Sequence, residues 1–208
     1  TAIANINIYG DSKRKDYLRA CMDYFGSEKI ANYGKLFHNQ NLTEDQWLGR
    51  LPPSSYFGFA MENSIADYWI TEKLFFNYRN DVIPIYRGSI RNAQILEEYG
   101  VNRKAYIDAS NMTQDQLVTY LDNLIKADNG RKMYQMYKQP LIPNKQQFDS
   151  KLISTFRTVI DTISRYPPPT NTRTFIRKNM VTFLNKFRRK PFIKFRLPYS
   201  EFGETLNA

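Results

Sequence analysis

Charged and amide side chains are concentrated in residues 62–73, which read ENSIADYWITEK. Glu62 and Asn63 follow an almost continuous apolar run, and Glu72 and Lys73 lie at the start of a segment with helical character. A lysine beside free backbone N–H groups can hold a diphosphate, and either glutamate can accept hydrogen bonds from sugar hydroxyls. The same spacing also fits a surface ion pair between Glu72 and a neighbouring lysine, which contributes little to stability. Both interpretations stay open on spacing alone.

The sequence offers little for other common chemistries. It has one histidine, His38, and one cysteine, Cys21, which argues against a zinc cluster. The patterns GxSxG, GxxxxGK[ST] and GxGxxG are absent, so hydrolase, P-loop and dinucleotide sites lose their main sequence support. No run approaches the roughly 18 apolar residues of a membrane-spanning helix. A single cysteine forms no internal disulfide, which favours the cytoplasm or a membrane periphery over a secretory lumen, although the compartment stays undetermined.

The order of the predicted elements indicates a parallel sheet. We predict strands at 5–11, 55–61, 82–88 and 105–110, which alternate with helices at 13–25, 70–80, 92–100 and after the Thr113–Gln116 capping box, and a short capped helix at 43–48. Alternation of this kind is typical of an α/β, Rossmann-like parallel sheet with helices on both faces. Ligands bind such sheets at the carboxyl edge. The polar residues that follow the strand at 55–61 are expected at that edge.

The charge divides the chain into two parts. Residues 1–145 carry 18 basic and 16 acidic groups, whereas residues 146–208 carry 12 basic and 4 acidic groups, or +8 of the net +10. We therefore predict an α/β domain over residues 1–145 and a helical, basic C-terminal extension over residues 146–208. A long helix is expected from Gln146 to Tyr166, before three prolines break the chain.

A longer stretch points to a family. Residues 56–89, YFGFAMENSIADYWITEKLFFNYRNDVIPIYRGS, contain MENS, TEK and IPIYRG at the spacing of three conserved pieces of one enzyme family. The stretch resembles the signature of the alpha-1,3/1,4-fucosyltransferases, glycosyltransferase family 10. The resemblance extends over about residues 5–140.

The resemblance implies a GDP-fucose site in the carboxyl-terminal lobe of a GT-B enzyme. By position, Arg14 matches a diphosphate-binding arginine, Lys73 a phosphate-binding lysine and Asn63 an asparagine beside the nucleotide. Glu72 matches the acid that binds the donor sugar or ribose, and we assign it the catalytic position. Trp69 stands where the family has a tyrosine, so it can stack on the donor but offers no hydroxyl. Without the resemblance, Arg14 reads as a solvated helix residue and Asn63 as a turn former.

The implied reaction is the transfer of fucose, with inversion, from GDP-fucose to a hydroxyl of a glycan acceptor. No cofactor beyond the donor is implied, and the metal requirement is undetermined. Two differences between this sequence and the family pattern bear on this reaction. Arg87 and Arg91 flank Gly88, where the family differs. We also expect this sequence to hold no counterpart of the amino-terminal lobe, which supplies the general base in the resembled family. We therefore expect a donor-binding lobe that needs an acceptor lobe for transfer.

The basic extension has three interpretations. Residues 172–196 interleave five phenylalanines with nine basic residues. Such a segment can lie on an anionic membrane surface, as basic amphipathic segments do at the ends of some bacterial members of the resembled family. It can instead bind nucleic acid, which we rank lower, or its phenylalanines can pack on the domain while its charges are solvated.

A second hypothesis belongs to another functional class. The chain would be a non-catalytic binding or assembly protein that keeps a glycosyltransferase-like fold and docks its basic tail to a membrane surface, nucleic acid or partner protein. The two hypotheses differ in one geometric expectation. If Arg14, Asn63, Glu72 and Lys73 converge, the enzyme is favoured, and if they point apart, the binding protein is favoured.

Overall fold

A computed structural model describes residues 3–5, 12–33, 37, 39 and 55–165 of the chain. The predictions for residues 6–11, for the capped helix at 43–48 and for the basic segment 172–196 lie outside these residues.

The described residues contain a five-stranded sheet. Its strands are β1 (Ile3–Asn5), β2 (Ile30–Asn32), β3 (Phe57–Met61), β4 (Ile83–Arg87) and β5 (Ile107–Asp108). They lie in the order β2-β1-β3-β4-β5, and each neighbouring pair is parallel. The parallel sheet that the sequence predicts is therefore confirmed. The prediction lacked β2, because three residues are too few for a periodic pattern.

Helices connect the strands and continue beyond them. They are α1 (Ser12–Phe25), α2 (Lys73–Arg79), α3 (Ile90–Glu98), α4 (Gln114–Lys126), α5 (Arg131–Lys138) and α6 (Lys145–Arg165). Short 3-10 turns lie at Ser27–Lys29, Arg103–Ala105 and Ala127–Gly130. Among the helices in the described part of the chain, we find none with the length and apolar character that crossing a bilayer requires.

The sheet separates two hydrophobic cores. On one face, Phe57 and Phe59 of β3 join the buried residues of α1 and α4, and we call this the first core. On the other face, Ala60 of β3 joins Leu74 of α2 and Leu96 of α3, and we call this the second core. Because successive strand residues point to opposite faces, this division confirms helices on both sides of the sheet.

Helix α6 is anchored at its amino-terminal end. Phe148 is buried in the second core beside Leu141, and its ring centroid lies 6.0 Å from that of Phe75 in α2. The long helix predicted from Gln146 is therefore confirmed, although its first turns pack on the α/β domain. The division of the chain at residue 145 stays a prediction.

Cys21 lies in the middle of α1 and is fully buried in the first core. Burial raises the pKa of its thiol to about 12, because a thiolate is poorly solvated there. The thiol therefore serves this core as a small apolar group.

The predicted capping box at the start of α4 is present. The Thr113 hydroxyl accepts a hydrogen bond from the Gln116 backbone N–H at 3.2 Å, and the Gln116 side chain accepts one from the Thr113 N–H at 2.8 Å. These bonds satisfy backbone donors that a helix start otherwise leaves unpaired.

We expect Thr113→Ala to lower the free energy of unfolding by about 1 kcal/mol, because the cap is lost. Thr119→Ala is the matched control, since Thr119 is exposed within the same helix. Alanine has the higher helix propensity, so the control is expected to be neutral or slightly stabilising. Urea unfolding followed by circular dichroism measures both, and equal effects of the two substitutions would contradict a capping role.

Candidate functional site

The sheet has a topological switch point between β1 and β3. After β1 the chain turns to β2 on one side, and it later returns to place β3 on the other side of β1. In open parallel sheets, ligands bind outside the carboxyl ends of the strands at such a point. The helix after β1 and the loop after β3 are therefore the elements to search for a site.

Arg14 of α1 connects these two elements. Its Nη1 donates hydrogen bonds to the Met61 carbonyl oxygen at 3.1 Å and to Oδ1 of Asn63 at 2.8 Å. Only 5% of the Arg14 residue is exposed, so its interpretation as a solvated helix residue is wrong. The structure thus brings Arg14 and Asn63 together at the switch point, although they are 49 positions apart.

Glu62 comes directly after β3, is fully buried, and points to the face of the sheet opposite Arg14. Its carboxylate accepts hydrogen bonds from the Thr71 backbone N–H at 2.8 Å and the Thr71 hydroxyl at 2.7 Å. Lys73 Nζ lies 3.7 Å from Glu62 Oε2. Both carboxylate oxygens are therefore used inside the protein, and they tie the end of β3 to the start of α2. The sequence did not identify this bond to Thr71.

The start of α2 differs from the prediction in two respects. The helix begins at Lys73 rather than at residue 70, with Glu72 as its N-cap and no side-chain capping bond. The Thr71 N–H binds Glu62, so it is not one of the free backbone N–H groups that a phosphate could use beside Lys73. The unfavourable position of Lys73 at a helix start is offset by two carboxylates, Glu62 at 3.7 Å and Glu72 at 3.6 Å. The predicted ion pair between Glu72 and a neighbouring lysine is therefore present.

The two acids of this loop have different environments. Glu72 has a side chain that is 68% exposed, whereas the Glu62 side chain is fully buried. Of the two acids considered for a sugar hydroxyl, Glu72 is thus the accessible one. Trp69 is 50% exposed, which leaves its indole ring available for stacking.

Asn92 of α3 holds the aromatic loop. Its side chain is fully buried, accepts a hydrogen bond from the Tyr68 N–H at 3.0 Å and donates to the Trp69 carbonyl oxygen at 3.1 Å. It also donates to the Tyr86 hydroxyl at 3.3 Å. Burial, and secondarily the charge of Glu62, raises the pKa of Tyr86, which keeps that hydroxyl protonated. Sequence analysis missed Asn92, although a polar residue on the inner face of an amphipathic helix was the available signal.

The two arginines beside Gly88 lie in different environments. Arg91 is exposed, with its Nη1 3.9 Å from Asp67 Oδ2 and its guanidinium 5.4 Å from the Tyr68 ring centroid. Arg87 is the last residue of β4 and is buried. They therefore do not act as a pair.

The predicted site residues form two sets of contacts at the carboxyl end of β3. Arg14 binds Asn63 on one side, and Lys73 contacts Glu72 and Glu62 on the other. Glu62 and Asn63 are consecutive in the chain, but one set lies on the α1 side of β3 and the other on the α2 side, so their convergence in one cleft stays a prediction. Trp69 lies on the loop that joins Asn63 to Glu72.

Comparison with known proteins identifies the family. The family model described as "Glycosyltransferase family 10 (fucosyltransferase) C-term" matches residues 2–173. The chain belongs to glycosyltransferase family 10.

The chain is similar to curated fucosyltransferases from several animals. Alpha-(1,3)-fucosyltransferase B of Drosophila melanogaster is 31% identical over 152 residues, which cover 67% of this chain and 32% of the fly protein. GDP-fucose protein O-fucosyltransferase 3 of Danio rerio is 29% identical over 126 residues, which cover 56% of this chain and 26% of the zebrafish protein. The matches thus span about a quarter to a third of the length of these relatives.

A solved fucosyltransferase structure has a similar fold. The crystal structure of an alpha1,3-fucosyltransferase with GDP-fucose superposes with a TM-score of 0.56 at 17% identity, over 76% of this chain and 46% of that one. The predicted fold class, one lobe of a GT-B glycosyltransferase, is thereby confirmed.

Proposed function

We propose that this chain is the donor-binding lobe of a fucosyltransferase that binds GDP-fucose and supports inverting transfer to a glycan hydroxyl. The observation that carries the proposal is the Arg14–Asn63 hydrogen bond at the switch point of the sheet. Family membership and the fold shared with a fucosyltransferase solved with GDP-fucose support it. The Arg14–Asn63 and Lys73–Glu72 contacts support this proposal over the non-catalytic binding protein. That all four side chains meet in one cleft stays a prediction.

The residues at the site suit the departure of a nucleoside diphosphate. As the bond from fucose to the diphosphate breaks, negative charge develops on the leaving oxygen, and fixed cations stabilise it. Arg14 is held by two hydrogen bonds, so it needs little reorganisation to play this part. Lys73, whose Nζ already donates to the Thr71 hydroxyl at 2.9 Å, supplies the second cation.

The sugar end of the donor is assigned to the exposed loop. Glu72 would accept hydrogen bonds from fucose or ribose hydroxyls, and Trp69 would stack on an apolar face of the donor. We assign no general base among the described residues. The acceptor hydroxyl must lose a proton during transfer. The general base for that step would therefore come from residues other than those described.

Calorimetric titration with GDP and GDP-fucose tests the proposal. We expect a dissociation constant, Kd, below about 1 mM for each ligand. Arg14→Met is expected to raise both Kd values by about 10- to 100-fold, because a charge-assisted hydrogen bond to phosphate is lost. Arg131→Met is the matched control, since Arg131 is an exposed arginine at the start of α5. No binding by a folded wild-type chain at millimolar ligand would refute the proposal.

A further inference from the structure

Arg87 is a buried cation with open hydrogen-bonding capacity. Only 7% of the residue is exposed, and its Nε and Nη1 have no hydrogen-bond partner. No carboxylate of the described residues forms an ion pair with it. A buried charge without such partners is destabilising, so its presence at the end of a central strand needs an explanation.

The aromatic contact of Arg87 leaves these donors unused. The guanidinium carbon lies 5.0 Å from the centroid of the Tyr17 ring, and the Tyr17 hydroxyl donates to the Met112 carbonyl oxygen. A cation–π contact attracts the guanidinium to the face of the ring. The N–H groups point along the edges of the guanidinium plane, and a ring cannot accept them all. Tyr17 therefore positions Arg87 without satisfying Nε and Nη1.

Arg87 lies beside the proposed diphosphate site. In the sheet register it is the partner of Met61, whose carbonyl oxygen binds Arg14. Arg14 and Tyr17 are three residues apart on α1, a spacing that places them on the same face of a helix. Arg87 follows Ile83 and Ile85 of the first core at two-residue intervals, so it lies on the same face of β4 and points toward α1. Two buried arginines thus flank the carboxyl end of β3 on one face of the sheet.

We propose that Arg87 is a third diphosphate-binding residue of this chain, after Arg14 and Lys73, donating Nε and Nη1 to phosphate oxygens held between it and Arg14. The inference rests on the proposed function and extends it. The open Nε and Nη1 donors lie on different edges of the guanidinium, so they can bind oxygens of two different phosphate groups, and a dianion offsets two buried positive charges. The family resemblance assigns this position no such role.

Arg87→Met separates a ligand-binding role from a structural one. Methionine keeps much of the side-chain length and removes the unpaired charge. We expect the free protein to be as stable as the wild type or more stable, because the variant no longer buries that charge. We expect the Kd for GDP to rise by about 10- to 100-fold, and the penalty to be smaller for GMP and absent for guanosine. Arg131→Met again serves as the control.

Three outcomes would overturn the inference. One is an unchanged Kd for GDP in Arg87→Met while the wild type binds GDP, which leaves the proposed function intact. Another is an equal penalty for GDP and guanosine, which indicates a distorted fold. The third is a wild-type chain that binds neither GDP nor inorganic pyrophosphate. If the wild type binds pyrophosphate but not GDP, and Arg87→Met abolishes that binding, the anion site stands while the nucleotide proposal fails.

Discussion

Glu62→Gln is expected to lower the free energy of unfolding by about 3–5 kcal/mol, the cost of breaking a buried ion pair by removing one partner. Glutamine has nearly the same volume, so packing changes little. In the wild type, the Thr71 N–H contacts one carboxylate oxygen of Glu62, and the Thr71 hydroxyl and the Lys73 ammonium contact the other. Whichever way the glutamine amide is oriented, its NH2 group would therefore face a hydrogen-bond donor. Lys73 would also lose its buried counter-charge. Urea unfolding monitored by circular dichroism measures the loss, provided the m-value is unchanged.

Glu72→Gln provides the control for this prediction. Glu72 also lies within 4 Å of Lys73, at 3.6 Å, but its side chain is 68% exposed. Water screens that pair, so the expected loss is below about 0.5 kcal/mol. A double-mutant cycle with Lys73→Met should show that the effects of Glu62→Gln and Lys73→Met are not additive. Similar losses for Glu62→Gln and Glu72→Gln would contradict the role given to burial.

Gly58→Ala is expected to have the next largest effect, a loss of about 3 kcal/mol or more through overpacking. A Cβ atom on Gly58 would lie 1.9 Å from Asn77 Oδ1 and 2.9 Å from Val82 Cγ2. Asn77 cannot simply turn away, because its Nδ2 donates to the Phe59 carbonyl oxygen at 3.2 Å and the Lys73 carbonyl oxygen at 2.9 Å. The added methyl group would therefore separate α2 from β3, and Lys73 would move with the helix.

Two comparisons test the steric origin of this loss. Gly100→Ala places a Cβ in open space at a positive φ of 84°, so only backbone strain of about 1–2 kcal/mol is expected there. In an Asn77→Ala background, Gly58→Ala should cost clearly less than in the wild type, since its main clash is gone. Thermal unfolding measures each variant. An equal cost at Gly58 in both backgrounds would contradict the proposed clash.

The sequence was most informative where local rules act alone. The alternation of apolar runs predicted the parallel sheet, and Thr113 with Gln116 predicted the capping box, because both depend on residues close in the chain. The family signature placed Arg14 and Asn63 in one site, and the structure joins them by a hydrogen bond. Local pattern alone had suggested a solvated Arg14, since it lies between Lys13 and Lys15.

The sequence was least informative about side chains that find partners across the fold. Spacing alone left Glu62 and Glu72 equivalent, because their burial depends on how the loop before α2 folds back on β3. The sequence also treated Arg87 as a departure from the family pattern. Whether an arginine at a strand end is solvated or buried depends on Tyr17, which lies 70 residues away. Such pairings cannot be derived from spacing along the chain.

The burial of Cys21 makes the wild-type chain suitable for site-specific fluorescence labelling. Maleimide dyes react with thiolates, and a fully buried thiol with a pKa of about 12 supplies almost none at neutral pH. Ile65→Cys would place an accessible thiol on the loop after β3, since Ile65 is exposed. A dye attached there would report on the movement of that loop as a nucleotide enters, with no need to remove the native cysteine.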